Sequence, residues 1–307
     1  MKLDKKSLLQ TVASYLIWGL SPLYWSMIAR YDALFTLSDR IVWGACFLLI
    51  YLALARKSGL LSSTLRSRES MKYLAPAALF VSINWGTYIW AMSHSRVLDS
   101  SLGYYFNPLL SALMGVVLFR EKLTRAQWFA FLLALIGVIL ATIDAGRLPL
   151  ISLILALSFA LYGLVKKKVQ ADPAVSVTVE SLLCLPFCIL YFCTLGRGPG
   201  GFPLVDSGGQ AALLIGAGLI TAVPLVMFSQ GVQALPLSVV GFVQFLSPTL
   251  NLICGLLLGE TMSSLRWTCM FFIWAAVAVF SVAAAKQEGR LRQGQLPADR
   301  AEKQETS

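Results

Sequence analysis

The sequence predicts an all-α membrane protein of ten transmembrane helices in two inverted five-helix repeats. Three observations carry that prediction: an apolar composition, ten long charge-poor stretches, and a punctuation pattern that recurs after about 140 residues. Hydrophobic residues make up 57% of the 307 and charged residues only 13%. A soluble domain cannot bury that much apolar surface, so lipid is the solvent. A β-barrel is excluded, because no segments of about ten residues alternate between apolar and polar.

The spans follow from the charges. Charge-free runs cover 7–29, 41–55, 73–95, 100–119, 126–143, 148–165, 181–196, 207–259 and 267–285. A crossing helix needs about 20 apolar residues. The first run follows Lys2, Lys5 and Lys6. It is too long and too aromatic for a cleaved leader and has no small-residue cleavage site, so it is expected to stay as a signal anchor. The runs starting at 41 and 181 reach full length only if each admits a charged residue: Arg40, beside Asp39, and Glu180. The run 207–259 is too long for one crossing and is interrupted at Gly231 and Pro236, so it supplies two.

The repeat reads Pro108, Gly115, Glu121, Trp128 in the first half and Pro248, Gly255, Glu260, Trp267 in the second. In such an apolar chain this period marks a duplicated membrane module. Five spans per module is an odd number, so the second module enters the membrane inverted. The modules meet at Asp144–Arg147, giving repeats 1–145 and 146–285. Residues 286–307 are dense in charge and poor in hydrophobes and are expected to form a disordered cytoplasmic tail.

Orientation comes from the basic residues. With the N-terminus inside, the cytoplasmic segments carry nineteen Lys and Arg and the outer ones five. That bias predicts both termini in the cytoplasm and residence in the inner membrane. It also accounts for the net charge of +10 as topology determinants and lipid contacts, which argues against a nucleic-acid partner. Gly196–Gly201 follows no strand and reads as an outer linker instead of a phosphate loop. All six cysteines lie in apolar runs, Cys184 and Cys188 on one helix face, with no histidine near to suggest a metal. No cofactor is expected. The chain lacks Gly-x-x-x-x-Gly-Lys, His-Glu-x-x-His and Gly-x-Ser-x-Gly, which argues against ATP drive and against an intramembrane hydrolase.

Several motifs together resemble one family. They are Tyr15-Leu-Ile-Trp-Gly-Leu-Ser-Pro-Leu-Tyr24, Ser82-Ile-Asn-Trp85 with Tyr88-Ile-Trp90, Ser101–Tyr104 leading to Asn107-Pro-Leu109, and Ser158-Phe-Ala-Leu-Tyr-Gly163. Over residues 7–285 they are similar to the EamA-type drug/metabolite transporter superfamily, and within it to the RarD group. The resemblance implies a ten-helix inner-membrane carrier with a cavity lined by the third, fourth, eighth and ninth spans. Members of this group are often labelled chloramphenicol-sensitivity proteins, a label that does not define a native substrate.

An ionised group at the centre of a lipid-embedded helix costs about 2.5–3.5 kcal/mol on insertion scales. Arg40 and Glu180 stand 140 residues apart, the repeat offset itself. Two readings are open: they face an inter-repeat cavity, binding a substrate charge or titrating during transport, or each is locked in an interhelical ion pair or hydrogen bond, Arg40 by Asp39 or by the ends of neighbouring helices. Asn84, Trp85 and Tyr88 fall near the middle of the third span, Asn107 precedes Pro108, and Gln244 stands just before Ser247-Pro248. Matching prolines at membrane depth point to broken helices and a binding site between the halves. Tyr104, Tyr105, Trp18 and Trp90 are candidates for stacking on a ligand. His94 reads as an interfacial residue, and Glu121 and Glu260 as sharing a fold-level role. The expected site is therefore Arg40, Asn84, Trp85, Tyr88, Tyr104, Asn107, Glu180 and Gln244. The expected function is secondary active export of a small organic metabolite or drug, by a monomer or weak homodimer in contact with membrane lipids. A non-transporting membrane scaffold is the alternative.

Overall fold

The computed structural model describes residues 4–93, 97–146, 150–194, 208–257 and 263–305. These residues form twelve helices and no strand: α1 (Lys5–Met27), α2 (Ala33–Leu54), α3 (Ser58–Arg66), α4 (Arg68–Ser93), α5 (Val97–Phe119), α6 (Arg125–Ala145), α7 (Leu150–Lys166), α8 (Pro173–Thr194), α9 (Gly208–Ala234), α10 (Leu237–Gln244), α11 (Leu246–Leu257) and α12 (Ser264–Glu305). Six stretches are both long and apolar enough to cross a membrane: α2, α6, α8, α9, α10 with α11, and the first part of α12. The protein is a multi-pass membrane protein.

Polar residues set the helix ends. Asp4 accepts the amides of Lys6 and Ser7 and starts α1. Thr124 and Gln127 form a reciprocal capping box at the start of α6. That helix stops at Gly146, which adopts the left-handed conformation (φ 70°) that an L side chain resists. Asp32 accepts Leu34 N–H (2.9 Å) and Phe35 N–H (3.1 Å). Asp172 does the same for Ala174 (3.0 Å) and Val175 (3.3 Å). Hence α2 and α8, both of 22 residues, start 140 residues apart behind an aspartate cap.

These two helices pack on each other, and each cap is met by the other half of the chain. Tyr191, near the end of α8, donates to Asp32 (3.2 Å), and Lys57, just beyond α2, donates to Asp172 (2.5 Å). The remaining contacts show the same reciprocity. α1 packs on α9 as α7 packs on α4, and α1 packs on α11 as α7 packs on α5. Three contacts join an element to its own counterpart: α2 with α8, α5 with α10, and α6 with α12. One apolar core, including Tyr15, Tyr162 and Phe228, lies between α1, α4, α7 and α9. A second, where Phe242 stacks on Phe280 at 3.8 Å, lies between α5, α6, α10 and α12.

The prolines behave differently from expectation. α5 runs unbroken through Pro108, whereas the helix carrying Pro248 is interrupted at Phe245 between α10 and α11. Only one of the two expected breaks is present. A proline removes only one i→i−4 hydrogen bond, and α1, α4, α8 and α9 likewise run on through Pro22, Pro76, Pro186 and Pro224. Gly241 lies close against α5 here: a Cβ there would stand 2.6 Å from the Pro108 carbonyl and 2.9 Å from the Ala112 amide.

The recurring Gly and Glu acquire a meaning in the first half. The Glu121 carboxylate accepts Leu237 N–H (2.6 Å) and Ser238 N–H (2.9 Å), capping α10 from across the bundle. Gly115 makes the approach possible, since a Cβ there would lie 2.6 Å from Glu121 Oε2. Lys167 binds the carbonyls of Leu235 and Val232 just before that helix. The α9–α10 turn is thus held by an acid on its amides and a base on its carbonyls. Glu260, the counterpart of Glu121, lies outside the described residues, as do His94 and Gly196–Gly201.

The described backbone of α12 runs to Glu305.

Candidate functional site

Arg40 and Glu180 occupy the same register, seven residues into α2 and α8, and meet different surroundings. The Arg40 guanidinium lies over two indoles, 5.5 Å from the ring centroid of Trp25 on α1 and 5.2 Å from that of Trp85 on α4. Tyr88 on α4 and Tyr104 on α5 stand close enough to feel its charge, and their rings meet edge-on at 6.4 Å. No carboxylate among the described residues pairs with Arg40, and its buried Nε has no hydrogen-bond partner. Asp39 does not lock it, because consecutive helical residues point to different faces; Asp39 Oδ2 is itself unpartnered.

Glu180 is fully satisfied. It accepts from Lys166 Nζ (2.7 Å), Tyr162 Oη (2.8 Å) and Ser176 Oγ (3.2 Å), and Lys166 also binds Ser176. The Lys166 and Glu180 side chains are 0% and 5% exposed. A buried pair with its remaining lone pairs and protons engaged can stay ionised away from water. Trp85 separates the two sites: one face meets Arg40, and with Glu180 it lines a cavity of about 10 Å³, room for roughly one water.

The other expected residues disperse. Asn84 joins α4 to α7, donating to the Leu155 carbonyl (2.8 Å) and Ser158 Oγ (3.2 Å). Asn107 is buried and accepts from Ser111 at 3.3 Å, and Gln244 is buried at the end of α10. Trp18 packs against Tyr15, Phe159 and Phe228, and Tyr105 donates to Met270 Sδ at 3.4 Å. Trp90 is 47% exposed. So the structure brings together Arg40, Trp85, Tyr88 and Tyr104, and sets Asn84, Asn107, Glu180 and Gln244 elsewhere.

Sequence reasoning missed three participants. Lys166, one of the nineteen basic residues that read as cytoplasmic topology determinants, is the counter-ion of Glu180. Its spacing from Glu180 (two helices joined by a short turn) is the one signal that could have found it. Tyr162 lies inside a motif already quoted, one turn before Lys166. Trp25 resembles any span-end tryptophan, and nothing in the sequence marks it.

The helices and the two charge sites define a multi-pass helical membrane protein. The EamA-like transporter family model matches the chain twice, over residues 5–143 and 148–282, and the chain belongs to that family. It is similar to the uncharacterized transporter YojE of Bacillus subtilis, 39% identical with 92% of this chain and 95% of that one covered. It is also similar to protein RarD of Escherichia coli K12, 32% identical with 94% and 98% covered, which makes it a RarD-like permease. A solved crystal structure 20% identical to it shares the fold, with a TM-score of 0.71 over 90% of this chain and 97% of its own.

Proposed function

We propose that the protein is a secondary active transporter that exports a small organic solute across the inner membrane by alternating access, using ten crossings in two inverted repeats. The reciprocal packing supports the inverted arrangement, since α2–α8, α5–α10 and α6–α12 each join an element to its counterpart, as a pseudo-two-fold axis between them requires. Two sets of contacts support alternate crossings. Lys57–Asp172, Glu121–Ser238 and Lys167–Leu235 gather at one end of the bundle. Tyr31–Gln210, Tyr191–Asp32 and Arg266–Asp144 gather at the other. The first set coincides with the lysine- and arginine-rich loops, which supports cytoplasmic termini.

The observation that carries the transport reading is Arg40. A scaffold has no use for a guanidinium that costs energy in lipid and pairs with no carboxylate among the described residues. A carrier does, because side chains from α1, α2, α4 and α5 meet there. The test is flux in proteoliposomes holding purified protein, with export and import read separately by orientation. Loss of flux in Arg40→Gln, in a protein that still runs as a single species in detergent, is the expected result. Wild-type flux in that variant would remove Arg40 from the path. A C-terminal alkaline phosphatase fusion should be inactive, and an active one would overturn the topology.

A further inference from the structure

Cation–π attraction offsets part of the cost of Arg40 but fills none of its five N–H donors, which lie in the guanidinium plane. Among the described residues its buried Nε has no hydrogen-bond partner. Arg40 is half-buried, and Tyr104 beside it is 39% exposed. The planar fork of an arginine matches two oxygens of a carboxylate. Among the described residues, the rings of Trp25, Trp85, Tyr88 and Tyr104 stand around it. Such walls favour a flat, apolar body and offer nothing to a polyanion.

We infer that the transported solute is an organic monocarboxylate, its carboxylate held by the Arg40 fork and its apolar or aromatic body lying among Trp85, Tyr88 and Tyr104. This rests on the transport reading above and deepens it. Glu180 takes no part in binding, because its oxygens are already engaged by Lys166, Tyr162 and Ser176.

The experiment separates charge from shape. Purified protein in phosphatidylcholine nanodiscs is melted with benzoate, phenylacetate and indole-3-acetate, each beside its neutral amide, and with 2-phenylethylamine. Counterflow of the same compounds is then measured in phosphatidylcholine liposomes. At least one acid should raise the melting temperature and be transported, while its amide and the amine do not. Arg40→Gln should weaken that acid at least about tenfold, the loss expected for a hydrogen bond to a charged group. Arg40→Lys should retain part of the affinity, because it keeps the charge and loses the fork. Transport of an amide or the amine, equal in wild type and Arg40→Gln, would overturn the carboxylate assignment and leave the carrier standing. No shift and no flux with any compound would overturn both. Stabilisation by added phosphatidylglycerol and by no soluble acid would assign Arg40 to a lipid headgroup and overturn the inference.

Discussion

Arg40 and Glu180 stand at the same position of two equivalent helices, each a short way in from an aspartate cap. Glu180 has three donors, one of them a counter-ion 2.7 Å away; Arg40 has two indole faces and no ion pair among the described residues. Duplication supplied two equivalent positions, and the two halves use them differently. The second half closes its charge into a permanent tie between α7 and α8. The first half leaves its charge uncommitted beside Trp85, the side chain that borders both. A repeat offset therefore identifies positions where a lipid-embedded charge is tolerated, and only the partners tell which of them is structural.

The comparison can be broken most directly at the tie. Glu180→Gln strands the buried Lys166 ammonium and should cost about 3–5 kcal/mol, read as a large fall in melting temperature and poor recovery from detergent. Replacing both residues by methionine should restore most of that loss, since an apolar pair leaves no charge uncompensated. If Glu180→Gln melts like the wild type, the pair is not structural and the contrast with Arg40 disappears.

A smaller effect is expected at Glu121, whose carboxylate caps α10 across the bundle. Glu121→Gln loses the charge on two amides and should cost about 1–2 kcal/mol, the range of a good helix cap. Faster hydrogen exchange at Leu237 and Ser238 would locate the loss; unchanged exchange there would deny the cap its role.

Arg40→Gln should cost less, about 1 kcal/mol, because cation–π contact is all the fold loses. Its melting curve should stay near wild type while flux disappears. A loss as large as that of Glu180→Gln would make Arg40 structural and erase the difference between the halves.

The smallest effect belongs to Lys57 and Asp172 at the bundle end, both about a third exposed or less. The hydrogen bond to Asp172 raises Lys57 above its ordinary value. Burial pushes the Asp172 carboxyl up, but Lys57 and the Val175 and Ala174 amides outweigh it and hold it below the usual range. Asp172 therefore contributes above the unfolded carboxylate value of about 3.9 and loses that contribution as pH falls through its lower folded value. Lys57 contributes below about 10.4 and loses it as pH rises through its higher folded value. The difference in melting temperature between wild type and Lys57→Gln should be slight, constant between those limits and gone in strong acid.

Much of this was legible beforehand because membrane burial makes exceptions visible. A charge inside a span, a proline at depth and a period of 140 residues each stand out against an apolar background, and they located Arg40, Glu180 and the Pro–Gly–Glu punctuation. What stayed hidden depends on three-dimensional closeness. Lys166 ends a span, where a lysine ordinarily reaches for water, and only the fold of α7 against α8 turns it inward. Asn84, Asn107 and Gln244 look like ligand residues in a linear reading. The first two prove to satisfy neighbouring helices or their own turn, and Gln244 is buried at a helix end. Pro108 and Pro248 look alike in sequence, yet α5 stays whole while the other helix breaks.

If Arg40 works as proposed, its lack of a counter-ion among the described residues has an electrical consequence. A site that changed sides empty would carry one uncompensated positive charge through the field; loaded with a monoanion, it would carry none. Moving a full charge through 100 mV is worth about 2.3 kcal/mol. A membrane negative inside would therefore draw the empty site inward and leave the loaded site indifferent, so each such cycle would send one negative charge out. The resting potential alone would then drive export, with no second ion bound.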